Sequence, residues 1–151
     1  MDASGPRAVL VVEDEPLVRE LIADALRDEG YRVLEAPNGH AALRAVNEPS
    51  PTAPSPCLVL LDVKLPGIDG LEVLQQLAAP RGRVPVVVMS TSPEQLAAAR
   101  AAGADAVLPK PFEVDRLVGV VDAYNRNSTG SAQSGPVPWC HRYEEIDRQP
   151  D

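Results

Sequence analysis

The sequence has few cysteines, few aromatic residues and no long hydrophobic run. Its 151 residues include 2 cysteines, 1 tryptophan, 1 phenylalanine and 3 tyrosines. Two cysteines are too few for the disulfide framework that stabilises small secreted domains. No apolar run approaches the roughly 18 residues of a membrane-spanning helix, and the first residues lack a basic signal-peptide start. We therefore expect a cytoplasmic protein without a membrane partner.

Basic residues are also scarce relative to acidic ones. The chain has 14 Lys+Arg against 22 Asp+Glu, which gives a net charge of -8 at pH 7. Because nucleic-acid backbones are negatively charged, an acidic chain has no general electrostatic attraction to them. The charge therefore argues against direct DNA binding. A hydrophobic fraction of 44% is still enough for a folded core, so wholesale disorder is excluded.

Proline, glycine and serine divide the chain into one domain and two termini. Residues 126–136 are polar and rich in glycine and serine, a composition typical of flexible linkers. We predict a disordered N-terminus at residues 1–6, a folded domain at residues 7–125 and a flexible tail at residues 126–151. Four prolines between residues 49 and 56 predict an extended surface loop, because proline is excluded from helix interiors and central strands.

The folded segment alternates short apolar runs with amphipathic segments. The apolar runs, at residues 8–12, 31–36, 57–61, 84–89 and 106–108, are typical of buried strands. The amphipathic segments predict helices at residues 16–29, 39–46, 71–77, 93–102 and 113–124. Strands alternating with helices predict an α/β fold of the (βα)5 type, with a five-stranded, doubly wound parallel sheet and right-handed crossovers.

Polar residues follow four of the five predicted strands. They are Glu13-Asp14-Glu15, Asp62, Ser90-Thr91 and Pro109-Lys110-Pro111. The carboxyl ends of parallel strands lie at one edge of a sheet, which is where such sheets bind ligands. Polar residues are normal wherever a strand leaves the core. That ordinary explanation does not account for three acids, a hydroxyl and an ammonium group at one edge.

The acids at this edge predict a divalent-cation site. If Glu13, Asp14 and Asp62 lie close together, their repulsion raises their pKa values unless a cation is present. Oxygen ligands favour Mg²⁺, with Mn²⁺ as the alternative, over zinc. Lys110, which taken alone reads as an ordinary loop lysine, balances the charge, and Ser90 adds a hydroxyl. Together these groups are typical of phosphoryl transfer, with Asp62 as the expected nucleophile.

Four ordered motifs resemble the receiver domain of bacterial two-component response regulators. They lie at Val11–Glu15, Leu60–Gly70, Val88–Ser90, and Gly103–Asp105 with Leu108–Phe112. The resemblance spans about residues 7–125. It implies a flavodoxin-like fold with strand order 2-1-3-4-5.

The resemblance implies a role for each acid. Asp62 is expected to accept a phosphoryl group from a histidine kinase or a histidine phosphotransfer protein. Asp14 and Asp62 are expected to bind Mg²⁺ directly, and Glu13 through water. The backbone carbonyl of Lys64 is expected to be a further ligand.

The other motif positions follow the family only in part. Ser90 matches the family's switch hydroxyl, and Lys110 matches its lysine before an expected cis peptide bond at Pro111. Receiver domains usually have Tyr or Phe where this chain has Val107, which has no ring to rotate. The signal is then expected to travel through Ser90, the loop after it and the fourth helix. Thr91 replaces the usual Ala or Gly, and we expect its larger side chain to narrow phosphodonor access.

The predicted function is a phosphorylation-switched signalling module that is not an enzyme beyond its own phosphorylation and dephosphorylation. It is expected to bind a downstream protein of unknown identity, as a monomer or a weak phosphorylation-dependent dimer. Nothing after Tyr124 resembles a DNA-binding helix set, so the tail is predicted to contain no output domain. The alternative is a degenerate receiver that acts as a phosphorylation-independent scaffold. A further alternative is a phosphatase resembling haloacid dehalogenases. Such enzymes need a second Asp two residues after the nucleophile, and this chain has Lys64 there.

Overall fold

The computed structural model describes residues 7–48, 55–77 and 84–130. Five strands and five helices alternate along this part of the chain. The strands are β1 (Arg7–Val12), β2 (Val33–Ala36), β3 (Ser55–Asp62), β4 (Val86–Ser90) and β5 (Ala106–Pro109). The helices are α1 (Pro16–Asp28), α2 (Gly39–Asn47), α3 (Gly70–Leu77), α4 (Pro93–Ala101) and α5 (Val114–Gly130).

The strands form one parallel sheet in the order β2-β1-β3-β4-β5. This confirms the predicted α/β class and the strand order 2-1-3-4-5. The register aligns the strand ends, pairing Val12 with Leu61, Asp62 with Met89 and Ser90 with Pro109. The polar residues that follow β1, β3, β4 and β5 therefore meet at one edge of the sheet.

Each strand contributes side chains to both faces of the sheet. On β1, Val9 and Val11 belong to the cluster covered by α1 and α5. Leu10 and Val12 belong to the cluster covered by α2, α3 and α4. Cys57 lies in the first cluster and is not a free thiol. Because helices cover both faces, the strands carry continuous apolar runs rather than alternating ones.

Helix ends follow the predicted signals. α1 begins at Pro16, and Gly30, just beyond its end, has a φ of 95°. Gly103 follows α4 with a φ of 108°. Both glycines adopt the left-handed conformation that commonly terminates helices. None of the helices in the described part of the chain combines the length and apolar character that a membrane crossing requires.

The prediction that the proline-rich run excludes a central strand was wrong for Pro56. This residue lies in β3, at the centre of the sheet. The register shifts beside it, because Ala8 pairs with Pro56 whereas Val9 pairs with Leu58. Proline has no N–H to donate, and an irregularity of this kind lets the ladder continue past it. The rest of the run, residues 49–54, lies outside the described residues.

The last helix is longer than predicted. α5 extends to Gly130, whereas the sequence predicted an end at Tyr124. Residues 126–130 of the predicted tail are therefore helical, because extending an existing helix adds one hydrogen bond per ordered residue. Residues 1–6 and 131–151, predicted as a disordered N-terminus and flexible tail, lie outside the described residues.

Candidate functional site

Backbone hydrogen bonds shape the acidic turn after β1. The Glu13 N–H donates to the carbonyl of Ala36 at 3.1 Å, and the Arg19 guanidinium donates to the Glu13 carbonyl at 2.7 Å. The Glu15 N–H donates to the Glu13 carboxylate at 3.2 Å. Glu13 is only 2% exposed, whereas Asp14 is exposed. The turn thus presents one buried and one accessible carboxylate.

Asp62 ends the central strand and is 5% exposed. The chain after it is held by two backbone bonds, from Val63 N–H to the Met89 carbonyl at 3.2 Å and from Gly70 N–H to the Val63 carbonyl at 3.0 Å. A Cβ atom on Gly70 would lie 2.5 Å from the carbonyl oxygen of Asp62. Only glycine lets α3 begin so close behind the carboxylate.

Lys110 reaches both buried acids from the loop after β5. Its backbone N–H donates to the Ser90 carbonyl at 2.8 Å, and its peptide bond to Pro111 is cis, which confirms that expectation. Its Nζ lies 3.1 Å from Glu13 Oε1 and 3.2 Å from Asp62 Oδ1. One ammonium group therefore joins the ends of β1, β3 and β5 through charge-assisted hydrogen bonds.

Burial and neighbouring charges set the protonation of this cluster. Burial raises the pKa of Glu13, and the charge of Asp62 raises it further, while the Glu15 N–H and Lys110 partly lower it. Burial lowers the pKa of Lys110, but the charges of Asp62 and Glu13 outweigh burial and leave this pKa above its ordinary value. Lys110 therefore stays positively charged at neutral pH.

Three carboxylates converge beside Lys110. Glu13, Asp14 and Asp62 each offer an oxygen atom, and these atoms lie within 4.8 Å of one another. Burial first, and the charge of Asp62 second, leave the pKa of Glu13 raised even with Lys110 beside it. A set of carboxylate oxygens has the chemistry that Mg²⁺ or Mn²⁺ prefers. Lys64 lies two residues beyond Asp62 with an exposed side chain, and its role as a ligand stays a prediction.

The Ser90 side chain is engaged with the start of α4. Ser90 is buried at the end of β4. Its Oγ donates to Gln95 Oε1 at 2.8 Å and accepts from the Ser92 N–H at 3.0 Å. The structure thus brings Glu13, Asp14, Asp62 and Lys110 together as a cluster. It places Ser90 at the same edge, with its hydroxyl directed to α4.

Two positions depart from the family pattern and have different surroundings. Val107 is partly buried on β5, pairs with Val88 and packs against the cluster under α2, α3 and α4. Thr91 is exposed. The valine therefore fills part of the core, while the threonine is accessible at the site edge.

Sequence reasoning missed Gln95 and Arg19. Ser92 and Gln95 are spaced as in the Ser-x-x-Gln capping box, a signal that predicts a helix start. That signal does not predict the bond between Gln95 and the Ser90 hydroxyl. Arg19 holds the Glu13 carbonyl and pairs with Glu35 at 3.3 Å, and no motif in the sequence indicated these contacts.

Comparison with known proteins gives a consistent result. The family model of the response regulator receiver domain matches residues 9–122. The transcriptional regulatory protein PdtaR of Mycobacterium tuberculosis is 37% identical over 140 residues, which cover 90% of this chain and 65% of PdtaR. Response regulator MprA of Mycolicibacterium vanbaalenii is 36% identical over 132 residues, which cover 86% of this chain and 55% of MprA. The chain thus spans less than two thirds of the length of these relatives.

Solved structures show the same fold. The receiver domain of the Francisella response regulator 1452 has a TM-score of 0.70 and 27% identity, covering 82% of this chain and 99% of that one. The receiver domain of NtrX from Brucella abortus has a TM-score of 0.67 and 36% identity, covering 76% of this chain and 95% of that one.

Proposed function

This chain belongs to the family of response regulator receiver domains of two-component signalling, and we propose that Asp62 is its phosphoacceptor. The observation that carries the proposal is the contact of one lysine with two buried acids: Lys110 Nζ lies 3.1 Å from Glu13 and 3.2 Å from Asp62. The proposal is supported because the carboxylate of Asp62, a positive charge and further acids lie within one small site.

The proposed metal is Mg²⁺, with Mn²⁺ as the alternative. Glu13, Asp14 and Asp62 would hold it, with the backbone carbonyl of Lys64 as the further ligand that the family resemblance implies. When bound, the ion supplies positive charge that neutralises the oxygens of the transferring phosphoryl group. Burial is the main cause of the raised pKa of Glu13, and the ion would reduce the repulsion from Asp62 that adds to it.

In the proposed reaction, a carboxylate oxygen of Asp62 forms a bond to phosphorus. The bond between phosphorus and the donor's histidine nitrogen breaks, and this nitrogen keeps the electron pair. Lys110, which already lies beside Asp62, can transfer a hydrogen bond to a phosphoryl oxygen because an ammonium group has three donors. Ser90 would donate a hydrogen bond to another phosphoryl oxygen.

The proposed partners are a histidine kinase or a histidine phosphotransfer protein as donor, and a further protein as target. The net charge of -8 supports signalling through proteins rather than direct contact with DNA. We propose that the chain catalyses only its own phosphorylation and dephosphorylation. A cytoplasmic location and a monomer or weak phosphorylation-dependent dimer remain part of this proposal.

Incubation with acetyl phosphate and Mg²⁺, followed by intact-protein mass spectrometry, tests the phosphoacceptor. We expect a mass gain of one phosphoryl group, which Asp62→Asn or a chelator abolishes. Asp69→Asn is the matched control, because Asp69 is exposed and its side chain accepts the Leu71 N–H at 3.0 Å, a bond that asparagine can also make. A wild-type protein that gains no Asp62-dependent mass would contradict the proposal and favour the phosphorylation-independent scaffold, which the ring-free Val107 also suggests.

A further inference from the structure

The hydroxyl group of Ser90 is part of the N-terminal cap of α4. Ser92 is the N-cap residue, and its side chain accepts the Gln95 N–H at 3.2 Å. In an ordinary capping box, the side chain at the Gln95 position would accept the N-cap N–H directly. Here the Ser92 N–H donates to Ser90 Oγ at 3.0 Å, and Ser90 Oγ donates to Gln95 Oε1 at 2.8 Å. The Ser90 hydroxyl is thus inserted into the capping box.

This arrangement makes two hydrogen bonds of Ser90 mutually exclusive. A serine hydroxyl has one proton to donate. While that proton is donated to Gln95, it is not available to a phosphoryl oxygen on Asp62. We infer that Gln95 is a positioning residue that holds the Ser90 hydroxyl in the unphosphorylated state and is released on phosphorylation. This inference rests on the proposed role of Asp62.

Release of Gln95 changes the start of α4 without the movement of an aromatic ring. Gln95 is half-buried, so its carbonyl oxygen must find water or another donor when Ser90 turns away. The Ser92 N–H can keep its bond to Ser90 Oγ, because a hydroxyl oxygen has two lone pairs. The expected change is therefore local to the Gln95 side chain and the surface beside it. Val107 has no ring to rotate. The released Gln95 side chain would therefore give the phosphorylated protein a surface at the start of α4 that differs from that of the unphosphorylated protein.

Titration with beryllofluoride in Mg²⁺, followed by ¹H–¹⁵N spectra, tests this role. Gln95→Met removes the acceptor and keeps a side chain of similar length. We expect it to lower the half-saturating beryllofluoride concentration by roughly two- to tenfold, the equivalent of one net hydrogen bond. Gln76→Met on α3 is the matched control, because Gln76 is exposed, and we expect no shift.

A second variant reverses the sign of the effect. Gln95→Glu keeps an acceptor and makes it charged, which strengthens its bond with Ser90. We expect a higher half-saturating concentration, relative to the exposed charge control Gln76→Glu. Because general damage to the fold does not produce opposite shifts in the two variants, this pair separates positioning from instability.

The Ser90→Ala background identifies the route of the effect. Without the hydroxyl, Gln95→Met should leave the half-saturating concentration unchanged. An equal shift with and without Ser90, or no shift in the wild-type background, overturns the inference alone. Absence of Asp62-dependent beryllofluoride binding in the wild-type protein overturns the proposed function, and this inference with it.

Discussion

The two halves of the site edge are held by different kinds of interaction. The acid half comprises Glu13, Asp14, Asp62 and Lys110, and the switch half comprises Ser90, Ser92 and Gln95. In the acid half, one ammonium group lies 3.1 Å and 3.2 Å from two buried carboxylates. In the switch half, neutral groups form hydrogen bonds of 2.8, 3.0 and 3.2 Å. Charge-assisted hydrogen bonds are about twice as strong as neutral ones.

This difference separates two tasks. In the proposed reaction, the acid half must keep its geometry while Asp62 accepts a phosphoryl group, and its contacts link three strand ends that are anchored in the core. By the same proposal, the switch half changes its hydrogen-bond partners when that group arrives, and neutral hydrogen bonds exchange at little net cost. The sheet edge would therefore combine a rigid site for the proposed reaction with an adjustable segment on α4.

The largest expected effect tests the rigidity of the acid half. In Gly70→Ala, the new Cβ would lie 2.5 Å from the Asp62 carbonyl oxygen and 2.6 Å from Val63 Cα, both backbone atoms. We expect a loss of about 3 kcal/mol in the free energy of unfolding, because a packed backbone must move. Urea denaturation measures it.

Gly119→Ala on α5 is the control for this substitution, because a Cβ at Gly119 meets nothing within 4 Å. An exposed glycine inside a helix costs about 1 kcal/mol relative to alanine, so this variant should be more stable than the wild type. A Gly70→Ala protein as stable as the wild type would show that the acid half is not held as closely as the structure indicates.

Removal of the shared ammonium group should have the next largest effect. Lys110→Met leaves Glu13 and Asp62 close together without a positive charge. Because the Lys110 side chain is 21% exposed, we expect a loss of about 2 kcal/mol, below the value for fully buried pairs. Urea denaturation in a chelator measures this loss, and added Mg²⁺ should recover part of it.

The exposed Lys64→Met provides the control for Lys110→Met, with an expected change close to zero. Equal stability of the two lysine variants in the chelator would contradict the structural role of Lys110. If Mg²⁺ increases the free energy of unfolding equally in both lysine variants, the ion does not act through the charge balance of the acid half.

Much of the acid half could be predicted from the sequence. The apolar run at residues 8–12 ends in acids, and in a parallel sheet such ends share one edge with Asp62. That inference needs only the parallel direction of the strands and the residues at their ends. The pairing of Lys110 with a carboxylate could be expected from charge, and the cis bond at Pro111 from the family resemblance, but the contact of Lys110 with two carboxylates at once was not predicted.

The switch half could not be predicted in the same way. The spacing of Ser92 and Gln95 specifies a helix start, but the rotamer of a glutamine depends on which donor lies nearby. Here that donor is Ser90, which belongs to a different element. The register shift beside Pro56 and the extension of α5 to Gly130 were likewise missed, because strand register and helix ends depend on neighbouring backbone groups.

A smaller expected effect distinguishes the capping of α4 by Ser92 from the positioning of the Ser90 hydroxyl by Gln95. Ser92→Ala removes the side chain that accepts the Gln95 N–H, but it keeps the backbone N–H that donates to Ser90 Oγ. We expect a loss of about 1 kcal/mol in the free energy of unfolding, typical of a lost N-cap. The half-saturating beryllofluoride concentration should stay unchanged.

Gln95→Met should show the opposite combination, with a shifted beryllofluoride titration and little change in stability. If Ser92→Ala shifts the titration as much as Gln95→Met does, the two side chains act together. The switch half would then act as one helix cap, and the bond between Gln95 and the Ser90 hydroxyl would have no separate role.

The smallest expected effect concerns the pH dependence of the acid half. The pKa of Glu13 is raised in the folded state, so the unfolded chain loses this proton at lower pH than the folded protein does. The stability associated with protonated Glu13 is present below its ordinary value of 4.5 and is lost as pH rises through the raised pKa. Because Lys110 and the Glu15 N–H offset part of the shift, the loss should be smaller than that of Lys110→Met.

Comparison with Glu13→Gln isolates this contribution from the other carboxylates. In a chelator, the wild type should lose stability relative to Glu13→Gln as pH rises above 4.5, and Mg²⁺ should reduce the difference. A constant difference across this interval would contradict the raised pKa. A difference of the opposite slope would mean that Lys110 compensates the cluster fully, and the acid half would then hold its geometry without needing a metal ion.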